Sequence, residues 1–266
     1  MKTISISIDV EWAHKEVIND LFQLLNERDI KATLFCTHEG IVSHQHERAI
    51  HPNFRPDGDA IKHIKKELGS RFESCPSPEI YRRVIEYTRQ FVPEAKGTRS
   101  HCLFSDFDLI IQYEKCGIEY DSSYFLPLNT GLRPLMKERN IVELPFYYMD
   151  HMDIQLQTTK FDIKNLKLDE PGLKIFGLHP NMVYINAQTE KHYIESKVAY
   201  HNPKELINYR RDGWGIRTLF IALLDYIKDH NLETKTLGEI NDEFRASLIH
   251  DLPTKEHDLT PETINS

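Results

Sequence analysis

Between Ile4 and Trp12 three isoleucines alternate with serine, and the alternation then gives way to Asp9 and Glu11. A period of two is the pattern of a strand with one buried face, here running out into a polar opening. Val17, Leu21, Leu24 and Leu25 follow at helical spacing, and Lys31 to Cys36 reads as a second strand. Further strand segments are expected at Ala49-Ile50, stopped by Pro52, at 95–101, at 118–124, at 141–145 and at 173–178. Helices are expected at 57–72, at 78–92 behind the cap and first-turn proline Ser77-Pro78, and from Ser105 to Lys115. Another is expected from Trp214 to Asp229, with Leu219, Phe220, Leu223 and Ile227 as its apolar face. Strands alternating with helices imply parallel βαβ units, hence an open doubly wound sheet or a closed barrel. Neither GxGxxG nor GxxxxGK[ST] occurs, which favours the barrel. The chain reads as one domain over 1–250 with a polar, frayed tail over 251–266, and the polar stretches 149–172 and 184–202 read as lids or binding loops.

Four of these strands end in titratable residues: Asp9 with Glu11, then His51, then Arg99 with His101, then His179. Chemistry in α/β barrels gathers at the C-terminal strand ends, so these groups are placed to converge. Asp9 and Glu11, two apart on one strand, share a side; paired acids either share a proton or hold a cation. A lone histidine at a strand end is usually a hydrogen-bonded structural group, and the common position of the set is what argues for function. Asp150-His151 and Asp153 form a further acid and histidine cluster, read as a wall of the cleft or a plain surface loop rather than a second metal site.

The net charge of −8, with acids and bases interspersed, provides no basic stripe for nucleic acid or an anionic membrane surface. No apolar run approaches the roughly 18 residues of a transmembrane span. The first residues enter a strand rather than a signal peptide, so a cytoplasmic location is expected. The four cysteines lack CxxC spacing and are expected as free thiols, without a structural zinc site.

The motifs resemble those of the NodB-homology polysaccharide deacetylases. Ser7-Ile-Asp9-Val-Glu11 looks like their first motif, Leu24 to Phe35 like the helix and strand that follow, and Glu47 to His51 like the start of the second motif. Gly97-Thr-Arg99-Ser-His101 looks like the third, Gly117 to Ser123 like the next strand, Leu178-His179 like the last motif and Leu237 to Ile240 like the barrel ending. The resemblance implies an irregular (β/α)7 barrel and a metal-dependent hydrolase. It casts Asp9 as the base, Arg99 as the group orienting it and His179 as the general acid, with Glu11 and His51 among the metal ligands. The family's second metal histidine is replaced by Arg55, with Asn53 the nearest polar alternative; His101, in phase with Arg99, is assigned to the metal, and His44 or His46 could also supply the nitrogen. Asn53, Arg55 and Asp150 are assigned to substrate binding.

The metal is expected to be divalent, zinc with cobalt or nickel as alternatives. The motif pattern is similar to family members associated with O-antigen and other surface polysaccharides. It implies removal of an N-acyl group, acetyl foremost, from an amino sugar on a nucleotide- or lipid-linked precursor. The competing readings are an amidohydrolase of small non-sugar amides and a carbohydrate-binding barrel that has lost its metal.

Overall fold

The computed structural model describes residues 2–250; the tail expected over 251–266 lies outside the described residues. The first half of the chain runs β1 (Lys2–Glu11), α1 (Lys15–Asn26), β2 (Ala32–Cys36), β3 (Glu47–Ile50), α2 (Asp59–Leu68), α3 (Ser77–Arg89), β4 (Gly97–Thr98), α4 (Phe107–Lys115) and β5 (Tyr120–Asp121). The second runs β6 (Leu135–Met136), β7 (Val142–Glu143), β8 (Tyr148–Met149), α5 (Asp150–Leu156), β9 (Gly172–Leu178), α6 (Pro180–Tyr184), α7 (Glu190–Ser196), α8 (Pro203–Leu206), α9 (Ile216–Asp229) and α10 (Leu237–His250).

The strand order is β6-β7-β5-β4-β3-β2-β1-β9-β8, parallel throughout except for the β6–β7 hairpin. The stretch from Val142 to Met149 joins the two ends of this ladder. Its first half donates to the β5 side, Leu144 N to Asp121 O at 2.8 Å and Phe146 N to Tyr124 O at 2.9 Å; Tyr147 N then donates to Ile175 O of β9 at 2.8 Å. The changeover falls between Phe146 and Tyr147, one residue after Pro145, which has no N–H to give. With β7 and β8 as one interrupted strand, seven parallel strands curl into the irregular barrel that the sequence led us to expect.

The alternation in β1 sorts its side chains between two buried regions. Ile4, Ile6 and Ile8 belong to the outer core with Val17, Leu21 and Leu25 of α1 and Leu219, Phe220 and Leu223 of α9. Ser5, Ser7 and Asp9 are also buried, on the opposite side that a period of two requires, beside a second cluster containing Phe35, Tyr120, Phe146 and Ile175. At the N-terminal end of the strands Glu47 accepts from Tyr120 Oη (2.8 Å), Thr33 Oγ1 (2.7 Å) and Gly238 N (2.9 Å), tying α10 across that opening. Gly97 is required here, since a Cβ would lie 1.8 Å from the Tyr120 ring.

Local boundaries differ from expectation for identifiable reasons. The helix expected from Ser105 is capped by Asp106, whose carboxylate accepts from Asp108 N and Leu109 N. The 57–72 helix ends at Leu68 and tightens into a 3-10 turn over Gly69–Ser74. Trp214 stands outside α9 and is 72% exposed. The stretch expected to be irregular over 149–172 contains α5. All four cysteines are free, and among the described residues no helix is long and apolar enough to cross a membrane.

Lys137, reaching in from the β6–β7 hairpin, places its ammonium 3.0 Å from both Asp121 Oδ2 and Glu143 Oε2, with all three side chains buried. One cation cannot hold two buried carboxylates ionised, so one acid keeps a proton. Burial and the facing Asp121 carboxylate push Glu143 up to about 8. The folded state thus binds an extra proton above the unfolded glutamate's pKa, and this contribution to stability is lost as pH rises through about 8. We expect Glu143→Gln to flatten the decline of denaturant stability between roughly pH 5 and 9; an unchanged slope would show that Glu143 does not titrate there.

Candidate active site

The site is built outward from the end of β1. The β1–β2 register slips between Asp9, opposite Phe35, and Glu11, opposite Cys36, and Glu11 takes a left-handed backbone with φ 52°. An inserted residue in one strand of a pair re-aims its side chain. A left-handed conformation at a non-glycine residue costs about 1–3 kcal/mol, a strain characteristic of functional sites. The two acids therefore do not reach the site by simple alternation, as the spacing implied.

Asp9 is buried and receives Arg99 Nη1 at 2.8 Å. Arg99 is wholly buried, and its other donors are taken by Ser7 Oγ (2.9 Å), Ser122 O (2.8 Å) and Ser122 Oγ (2.9 Å). Its guanidinium lies between the Phe35 and Phe146 rings, 4.3 and 4.4 Å from their centroids. Burial by itself would raise the Asp9 carboxyl, but the field of Arg99, aided by His51 and His179, holds it below the usual carboxylate range. Asp9 is thus an ionised, fixed acceptor at neutral pH.

Glu11, His51 and His101 bring one ligand atom each to within 4.8 Å of one another, a cluster able to hold a metal ion. His51 Nδ1–H donates to Arg99 O at 2.7 Å, which fixes the tautomer and leaves Nε2 buried without a hydrogen-bond partner, 3.5 Å from Glu11 Oε1. An imidazole oriented by a backbone carbonyl, with its other nitrogen unpaired, is the arrangement of a metal-ligating histidine. His101 Nδ1 lies 3.1 Å from the same Glu11 oxygen. Two imidazoles and one carboxylate with room for a further ligand match the donor set of catalytic zinc sites, so these residues fit a divalent cation. His46 is not part of the cluster: its Nδ1 accepts from Ala32 N, at the other end of β2, and its ring packs on Phe22.

His179 faces Asp9 and Glu11 across this centre, its Nε2 3.9 Å from Asp9 Oδ2 and 3.8 Å from Glu11 Oε1. Its Nδ1 donates to Asp150 Oδ1 at 2.6 Å, and its backbone N donates to Asp150 Oδ2 at 2.6 Å. Burial opposes the charged imidazolium, but the Asp150 carboxylate, with help from Asp9 and Glu11, lifts His179 to about 10. A protonated Nε2 is therefore aimed at the centre.

The structure corrects the place of Asp150. Assigned to substrate binding from the sequence, it is fully buried, with both oxygens hydrogen-bonded to His179 and Oδ1 also accepting from His151 N at 2.7 Å. Its neighbour Asp153 is neither cleft wall nor surface. It is buried and accepts from Tyr148 Oη (3.0 Å), Thr158 Oγ1 (2.8 Å), Thr159 N (2.9 Å) and Thr159 Oγ1, pinning the turn after α5.

Arg55, in the position expected for a second histidine, stands on the rim of an adjoining cavity of about 540 Å3, which Asn53 and His101 also line. Sequence reasoning missed Ser7 and Ser122. Ser7 was visible as a polar residue in phase with Asp9, whereas nothing in the sequence marked Ser122, or His201, which lines the same cavity.

A family model described as WbmS-like polysaccharide deacetylase matches residues 6–197. No curated protein matches the sequence. Among solved structures the chain is similar to a polysaccharide deacetylase from Bordetella bronchiseptica described as involved in O-antigen biosynthesis, at 23% identity and TM-score 0.70 over 85% of this chain and 90% of that one. Weaker likenesses include a polysaccharide deacetylase from Mycobacterium smegmatis (14% identity, TM-score 0.49, 100% and 94% covered). Another is a family 4 acetyl xylan esterase from Clostridium thermocellum bound to cobalt (13%, 0.45, 91% and 91%). The Bordetella structure supports the fold.

Proposed function

The chain belongs to the WbmS-like polysaccharide deacetylases, hydrolases of a linear amide C–N bond, and from that premise we propose that it removes an N-acyl group, acetyl foremost, from an amino sugar. The observation that carries this reading is the pairing of proton-handling groups around the three-ligand cluster: an ionised Asp9 held by Arg99 on one side and a protonated His179 held by Asp150 on the other.

A divalent cation held by Glu11, His51 and His101, zinc foremost with cobalt or nickel as alternatives, would supply Lewis acidity toward the amide carbonyl and toward a water molecule. Asp9 accepts the proton of the attacking water, and Arg99 keeps its second oxygen fixed while the charge changes. His179 delivers the proton from Nε2 to the departing nitrogen, which then leaves as a neutral amine, while Asp150 holds the ring in place. The third donor from His101 is what favours an active hydrolase over a carbohydrate-binding barrel without metal. The involvement of the Bordetella protein in O-antigen biosynthesis supports a substrate from surface-polysaccharide assembly. We take it to be a nucleotide- or lipid-linked precursor met in the cytoplasm.

Amine release from a panel of N-acetylated amino sugars, run with and without added zinc, cobalt or nickel and beside small non-sugar amides, tests this. We expect release from sugars that is lost on chelation and restored by a divalent ion. Cleavage of the non-sugar amides alone would contradict it.

A further inference from the structure

We propose that the cavity beside the centre recognises an uncharged sugar ring through Trp12, Asp57, Asp59 and His201, and leaves the phosphate of any carrier unread. This rests on the reading of the substrate as an N-acyl amino sugar. At about 540 Å3 the cavity falls within the usual range of small-molecule clefts, roughly 300–1,000 Å3, and His101 forms part of its wall, so whatever it binds abuts the reacting centre.

Trp12 follows Glu11 directly and meets the His101 ring edge-on at 5.4 Å, which ties this aromatic wall to the ligand cluster. His201 Nδ1 donates to Trp12 O at 3.1 Å, fixing both the wall and the tautomer and leaving Nε2 as an acceptor. An aromatic surface with hydrogen-bonding groups around it suits a ring with one apolar face and a rim of hydroxyls.

The charges around the cavity are matched. Arg55 Nε lies 3.3 Å from Asp57 Oδ1, and Asp59 Oδ1 lies 3.5 Å from Lys62 Nζ. The lining itself sets two carboxylates, Asp57 and Asp59, against the single guanidinium of Arg55, so a phosphate or carboxylate would meet net negative charge, whereas hydroxyl groups can donate to those carboxylates. Among the described residues lining the cavity, Arg55 is the one lysine or arginine.

The test uses the metal-loaded protein and three substrates: the methyl glycoside of an N-acetyl amino sugar, its nucleoside diphosphate conjugate, and the corresponding N-acetyl aminouronic acid. We expect kcat/KM for the first two to agree within about threefold and to vary little with ionic strength, and the uronic acid to be at least tenfold poorer. Asp57→Asn combined with Asp59→Asn leaves Arg55 and Lys62 without their partners. It should raise KM for the glycoside several-fold, more than it lowers kcat, while improving the uronic acid. A merely structural role for the two acids would not reverse this preference. A salt-sensitive preference above tenfold for the nucleotide conjugate, or a double variant with unchanged selectivity, overturns the proposal while the deacetylase reading stands. Hydrolysis of none of the N-acyl sugars overturns both.

Discussion

Asp9→Asn is expected to fold and to keep its metal, yet to lose about 10²–10⁴-fold in kcat, the contribution of a positioned general base. Asparagine preserves the shape and can still meet Arg99, but its amide cannot take a proton. The same change removes the negative half of a buried pair that Arg99 holds at 2.8 Å. Activity and stability should therefore be followed together, with metal content as the control. Wild-type turnover in Asp9→Asn would reassign the base.

Arg99→Met should cost about 3–5 kcal/mol of stability, because it strands the Asp9 carboxylate in a buried site without its counter-charge. For a chain of this size that corresponds to a fall of roughly 6–20 °C in Tm. Ser7 and Ser122 would also lose the donor that now satisfies them. The cost should be partly relieved when Asp9→Asn is added, since no charge then needs compensation. Strict additivity of the two changes would mean that the pair is not coupled and that Arg99 acts mainly by packing between Phe35 and Phe146.

The barrel was legible in the sequence because β1, β2 and β9 are apolar runs that end in polar or turn residues and alternate with helical segments, whereas β8, Tyr148–Met149, was not expected. The strand ends likewise announced Asp9, His51, Arg99 and His179, and the phase of His101 with Arg99 anticipated its place in the cluster. What could not be read were features set by the backbone or by distant contacts. Neither the register slip at Glu11 nor the left-handed Cys102 after His101 involves glycine, so no residue type signals them. Asp150 lies 29 residues from His179 and looked like part of a polar loop. Its burial depends on α5 packing beside β9, a tertiary contact with no local pattern. Lys137 is similar, a lysine that would be read as surface until the hairpin carries it onto Asp121 and Glu143.

We propose that His101 completes a metal site in which Arg55 stands where the family resemblance implies a second histidine. Metal content measured on purified wild-type protein and on His101→Ala, after equilibration with one equivalent of zinc and gel filtration, tests it directly. The expected result is about one ion per chain in the wild type and a large loss in the variant, consistent with removal of one of three protein ligands. Equal metal retention by His101→Ala would contradict it, and would place the third ligand elsewhere.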